Sequence, residues 1–139
     1  MKLSAKTRYG MRTMIELAGC YKDKPILLKE ISSRLGVSMK YLDHIVSSLK
    51  AKGLIVRLKD GYVLGRPPEK INCDEIVDIL EGSLNPVFCI DSPSMCERDS
   101  ECKAKKVWEK VGATLRETLN SFTLGDLISE NSQKSLKEE

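Results

Sequence analysis

The chain has 139 residues, 41% hydrophobic and only 5% aromatic, enough for one ordinary domain with an aliphatic core or a small domain with an appended element. No segment approaches the ~18 consecutive apolar residues of a membrane helix, and no apolar run follows the charged N-terminus MKLSAKTRYG, so neither a span nor a signal peptide is expected. The net charge of +3 is uneven: residues 1–70 hold fifteen Lys+Arg against six Asp+Glu, while residues 71–139 hold eight against fourteen.

A soluble, cytoplasmic protein is the expectation, with a basic half that meets a polyanion. Residues 3–20 have helical spacing of Leu3, Met11, Met14, Ile15, Leu17 and Ala18, and Lys24-Pro25 closes the segment. LLKEISSRLG is a short helix with Leu28, Ile31 and Leu35 on one face, stopped at Gly36. After Val37, Ser38 is a good N-cap for SMKYLDHIVSSLKAKG, in which Leu42, Ile45, Val46 and Leu49 face inward and Gly53 suits a left-handed cap. Then LIVRL, the turn KDG and YVLG form a hairpin. Two short helices joined by a tight glycine turn, then a hairpin, make a winged helix-turn-helix.

The inward face of the second helix fixes the outward one: Ser38, Met39, Lys40, Tyr41, Asp43, His44 and Ser47. Their hydroxyl, ammonium and imidazole groups suit base edges and phosphates of double-stranded DNA, with Asp43 suited to a cytosine amino group. Arg57, Lys59 and Arg66 on the wing, and Lys2, Lys6, Arg8 and Arg12 on the first helix, are expected at the backbone.

After Pro67-Pro68, NCDEIVDILEG reads as a short helix, with Ile76, Val77, Ile79 and Leu80 inward and Asp74 and Glu75 at its positive end. Cys20 and Cys73 are expected to be buried and inert. Further on, Trp108, Val111, Leu115, Thr118 and Phe122 recur in three- and four-residue steps, the seam of a helix that packs lengthwise on another. A homodimer covers that seam and places two reading helices one DNA turn apart on a palindromic operator. TLGDLI is a last short helix capped by Thr123. The fold class is thus mainly α: a winged helix-turn-helix over 1–68 with a two-stranded wing, then over 69–130 a short helix, a cysteine loop and a long C-terminal dimerisation helix, and a flexible tail over 131–139.

Between these helices lies CIDSPSMCERDSEC, with Cys89, Cys96 and Cys102 separated by six and then five residues. Thiolates favour soft or borderline metals, so zinc and iron–sulfur clusters are candidates. Structural zinc ligands commonly come in pairs two to four residues apart, and these wider gaps favour a larger inorganic core. A redox disulfide is the metal-free alternative. No nucleophile–base pair, phosphate-cradling loop or paired-carboxylate pattern marks an enzyme.

MKLSAKTRYG, LKEISSRLGVSMKYLDHIVSSLKAKGLI, GYVLG, the three-cysteine loop, VW and FTLGDL together resemble the IscR/NsrR family of bacterial winged-helix regulators over nearly the whole chain. The resemblance implies a homodimeric transcription factor whose operator affinity follows an iron–sulfur cluster, 2Fe–2S or 4Fe–4S, held by Cys89, Cys96 and Cys102. Relatives without these cysteines regulate sulfur metabolism without a cluster. Two positions depart from the pattern. Lys105 stands where IscR-type members carry the ligand histidine, and Arg8 stands where the nitric-oxide-sensing branch supplies a ligand from the partner. Glu97, Asp99 and Glu101 are the nearby oxygen donors, and exogenous thiol or water is the other source. The KDG turn also makes a shorter wing than usual. A zinc-stabilised regulator and a cluster-free thiol switch are the alternatives.

Overall fold

Ser4 starts α1 (Ala5–Gly19): its backbone is extended and its hydroxyl accepts from the Thr7 amide, satisfying one unpaired donor of the first turn. The structure, a computed structural model, describes residues 2–95 and 97–129. Met14, Leu17 and Ala18 form the buried face of α1. After it, α2 (Leu28–Leu35) ends at Gly36, whose φ of 67° is the left-handed conformation that stops a helix cheaply only at glycine. Next, α3 (Met39–Ala51) is capped by Ser38, which accepts from the Tyr41 amide at 3.1 Å. Leu42, Ile45, Val46 and Leu49 are all buried beneath it.

Strands β1 (Ile55–Leu58) and β2 (Gly61–Leu64) pair antiparallel, with Ile55 opposite Leu64 and Leu58 opposite Gly61. Only Lys59 and Asp60 lie between them, so the wing is as short as KDG implied. Ile26 adds a bridge to Tyr62 on the other edge, with both backbone hydrogen bonds formed.

The second segment opens with α4 (Cys73–Glu81), started by a reciprocal cap in which Asn72 accepts from the Glu75 amide and Glu75 reaches back to the Asn72 amide. Ile76, Val77 and Leu80 bury α4 against α1 and α3. Its approach to α1 is close because Gly10 has no side chain; a Cβ there would stand 2.1 Å from Leu80 Cδ1. Beyond it come α5 (Phe88–Asp91) and single 3₁₀ turns at Pro93–Met95 and Asp99–Glu101. Next, α6 (Lys105–Asn120) lies along α4, where Arg116 pairs with Asp74 at 3.1 Å and Asp78 at 3.7 Å.

Residues 124–129 form α7, with Thr123 and Asp126 capping each other's backbone amides. The fully buried Leu124 donates its amide to the Ile71 carbonyl, so the chain returns to the start of α4. The expected tail over 131–139 lies outside the described residues.

One aliphatic core runs from Met14 through α3 and the β1–β2 hairpin to Ile76, Leu80 and Leu124. Among the described residues α6 adds nothing to it. Trp108, Val111 and Leu115 are half-buried, while Phe122 and Val107 are 41% and 54% exposed. The helix thus keeps an apolar stripe that its own chain covers only in part.

Candidate nucleic-acid interface and thiol loop

The cap at Ser38 and the buried side of α3 orient everything on the opposite side of that helix. Ser38, Met39, Lys40, Asp43, His44 and Ser47 are exposed, and Tyr41 is half-buried. Ser38, Lys40, Tyr41, Asp43, His44 and Ser47 together line one shallow cleft, so the structure brings the expected reading residues of α3 onto one surface. Tyr41 meets the edge of the Tyr9 ring at 6.1 Å, and Arg12 lies 5.5 Å over that same ring. This stack braces the first turn of α3 against α1 and keeps a cation beside it.

The wing cations divide. Arg57 and Lys59 are exposed, with Arg57 also 5.6 Å over the Tyr62 ring. Arg66 is not a free wing cation: it pairs with Glu75 at 3.0 Å and donates to the Lys70 carbonyl at 3.0 Å. That bond fastens the wing's exit to the start of α4. Of the α1 cations, Lys2, Arg8 and Arg12 are exposed and Lys6 is half-buried.

The thiols separate in the same way. Cys73 is buried as expected, and burial raises its pKa, with Asp126 adding to the effect. Cys20 corrects the expectation, since it is half-buried at the end of α1. In the loop, Cys89 sits on α5 and Cys102 follows the turn Asp99–Glu101; both are free and half-buried. Cys96 lies outside the described residues. Of the three oxygen donors, Glu97 and Glu101 are exposed, whereas Asp99 is engaged by Lys105 at 3.0 Å. That hydrogen bond, ahead of nearby carboxylates, raises the Lys105 pKa and keeps its ammonium charged. A charged ammonium has no lone pair to offer a metal, so Lys105 does not replace the histidine.

The donor set matches an iron–sulfur core in kind, because the loop offers soft cysteine sulfur alongside the carboxylates of Glu97 and Glu101. Among the described residues, no three His, Cys, Asp or Glu side chains converge as a metal site.

A contact that local sequence patterns do not reveal joins the end of α4 to the first turn of α1. Glu81, the last residue of α4, accepts from the Ser4 amide at 3.1 Å, the Ser4 hydroxyl at 2.8 Å and the Thr7 hydroxyl. The Thr7 bond is the main cause of a lowered Glu81 pKa. A lowered folded-state pKa contributes stability above the usual glutamate pKa of about 4.3 and loses it as pH falls through the folded value. Acid unfolding of Glu81→Gln is therefore expected to show a shallower stability loss below about pH 4.5 than the parent, read from denaturant midpoints across pH 3–6. Parallel pH profiles would remove this contact from the stability balance.

A family model described as Rrf2, an iron-dependent transcriptional regulator, matches residues 3–130. The chain belongs to the Rrf2 family. Among its relatives is the HTH-type transcriptional regulator CymR of Bacillus subtilis, 36% identical over 132 residues, covering 93% of this chain and 91% of that one. The structure of that protein, described as the global cysteine regulator, superposes with a TM-score of 0.78 over 93% of this chain and 97% of its own. T. potens IscR matches with a TM-score of 0.73 at 35% identity, over 94% of this chain and 88% of that one. The oxidised form of Staphylococcus aureus CymR matches with a TM-score of 0.74 at 33% identity, covering 91% and 95%. This Rrf2-family chain is thus a DNA-binding transcription regulator with a winged-helix fold. Among the described residues no helix is long and apolar enough to cross a membrane.

Proposed function

We propose that this Rrf2-family regulator is a homodimer whose affinity for a palindromic operator is set by an iron–sulfur cluster on Cys89, Cys96 and Cys102. The observation that carries this reading is the position of the loop. It leaves α4, which packs on α1 and α3, and enters α6, whose apolar stripe is only partly covered by its own chain. The cluster, when bound, would supply a redox- and iron-sensitive cross-link between Cys89 at the start of the loop and Cys102 at its end. The protein does the rest. Gly82, at φ 82°, turns the chain out of α4, and Glu81 ties that turn to the first turn of α1. A change in the loop's conformation therefore bears on the helix that buttresses the reader.

In this reading Ser38, Lys40, Tyr41, His44 and Ser47 meet base edges and phosphates, Arg57 and Lys59 hold the backbone, and Trp108, Val111, Leu115 and Phe122 form the dimer seam. Exposed Phe88 and Val107 extend the apolar surface near that seam. The family description, with its iron dependence, and the likeness to IscR favour a cluster.

A second reading, a metal-free thiol switch, is favoured by one observation. The position of the ligand histidine is held by the Lys105–Asp99 ion pair. The likeness to CymR, one structure of which is an oxidised form, points the same way. Oxygen-free protein reconstituted with iron and sulfide separates the two readings. The first expects a visible absorption band, thiol-dependent iron and an operator affinity that differs from the iron-free form. A colourless protein that forms a loop disulfide on oxidation selects the second.

DNA binding itself should weaken steeply with salt. If the exposed cations of α3, wing and α1 neutralise about six phosphates per dimer, log affinity falls with log salt at a slope of roughly −5. Lys40→Gln should make that slope shallower by about one per neutralised phosphate lost. A flat salt response would remove phosphate contact from the account.

A further inference from the structure

Leu27 and Met39 are 51% and 47% exposed, two large apolar side chains on an otherwise polar, basic surface. Both line a cleft of about 310 Å³ between the starts of α2 and α3 and the wing. Lys29, Arg57 and Lys59 line the same cleft, as does Asp43. Asp43 also lines the neighbouring cleft that holds Lys40, His44 and Ser47, so it stands on the crest of α3 between the two. Met39 and Asp43 are four residues apart, which places them one above the other on that crest.

These groups fit different parts of a duplex. The three cations suit phosphates. An aspartate and two apolar side chains do not, since phosphate repels the first and gains nothing from the others. The crest therefore fits base edges in the major groove, and the first turn of a recognition helix is the part that reaches them. Of the groups displayed there, only the C5-methyl of thymine is apolar.

We propose that Met39, backed by Leu27, reads the 5-methyl group of a thymine in the operator, making this pair a specificity determinant. This rests on the DNA-reading assignment of α3. Covering one methyl group against the Met39 thioether and the Leu27 methyls gives roughly fourfold in affinity for each thymine read. The flexible thioether tolerates small errors of placement that a β-branched side chain would not.

The test uses duplexes enriched by the full-length protein from a random pool, with each thymine replaced in turn by uracil, which lacks only the methyl. For the parent, one position per half-site is expected to lose roughly fourfold on replacement. Met39→Ala should bind the thymine duplex more weakly and show no further loss with uracil. Met39→Leu should restore part of the dependence. Met39 is exposed, so these variants are expected to fold like the parent, and unchanged thermal midpoints would verify it. A parent indifferent to uracil at every position, or an equal uracil penalty in Met39→Ala, overturns the inference and leaves DNA reading intact. Failure to enrich any duplex overturns both.

Discussion

Replacing Cys89, Cys96 and Cys102 together with serine is expected to abolish the difference in operator affinity between iron-replete and iron-starved protein. Allosteric coupling of this type is about 1–3 kcal/mol, so the parent should show a difference of roughly 5- to 150-fold. Serine keeps the approximate shape of the side chain but offers a hard, more polar, un-ionised hydroxyl in place of a soft sulfur donor. The loop lies outside the aliphatic core, and Cys89 and Cys102 are half-buried, so the substitutions should cost little stability. The salt dependence of residual DNA binding should be unchanged, because the cations of α3 and the wing are untouched. Fluorescence anisotropy on one operator duplex, with both preparations of parent and variant, gives the four affinities needed. An iron response that survives in the triple variant would remove the loop from the switch. Loss of salt-dependent binding as well would show that the loop supports the fold itself.

Gly61→Ala is expected to damage the wing severely. Gly61 has φ 142°, and a Cβ built there would lie 2.6 Å from the Ile26 carbonyl oxygen. That oxygen accepts from the Tyr62 amide at 2.8 Å, and the Ile26 amide donates back to Tyr62 at 3.0 Å. The methyl must therefore either strain its own backbone or break the bridge that anchors the wing below α2. Backbone strain and overpacking together suggest a loss of roughly 2–4 kcal/mol. In a chain of this length that is a fall in Tm on the order of 5–15 °C. Gly19→Ala is the matched control: nothing lies within 4 Å of its Cβ position, and no change beyond about 1 kcal/mol is expected. Equal Tm values for the two variants would mean that the wing does not depend on the Ile26 bridge.

The reading helix was legible because its signals are local. Ser38, the inward run Leu42, Ile45, Val46 and Leu49, and Gly53 lie within sixteen residues, and the structure follows each of them. The α4 helix and the cap at Thr123 were legible for the same reason. The cap of α1 is an ordinary local signal too, since Ser4 directly precedes an amphipathic run, but the apolar spacing of residues 3–20 does not itself display it. Arg66 has the look of a wing cation in the sequence, which shows a charge but not its partner; the partner, Glu75, is nine residues away across a turn. Burial is the usual state of an isolated cysteine such as Cys20, yet α1 ends at Gly19 and leaves it at the rim of the core.

By itself the sequence determined the order and type of the main helices and the hairpin, the outward face of α3, the short wing and the clustering of three thiols, but not the short helix α5 within the cysteine loop. Periodicity, caps and turn residues act over a few residues, and the backbone answers to them directly. Only the tertiary structure decided which charges are spoken for and how the end of α4 is tied to α1. Glu81 reaches Ser4 across 77 positions, Arg116 reaches Asp74 across 42, and Leu27 comes beside Met39 only once α2 and α3 have packed. Such pairings depend on where the buried faces place whole helices, and no local pattern carries that information.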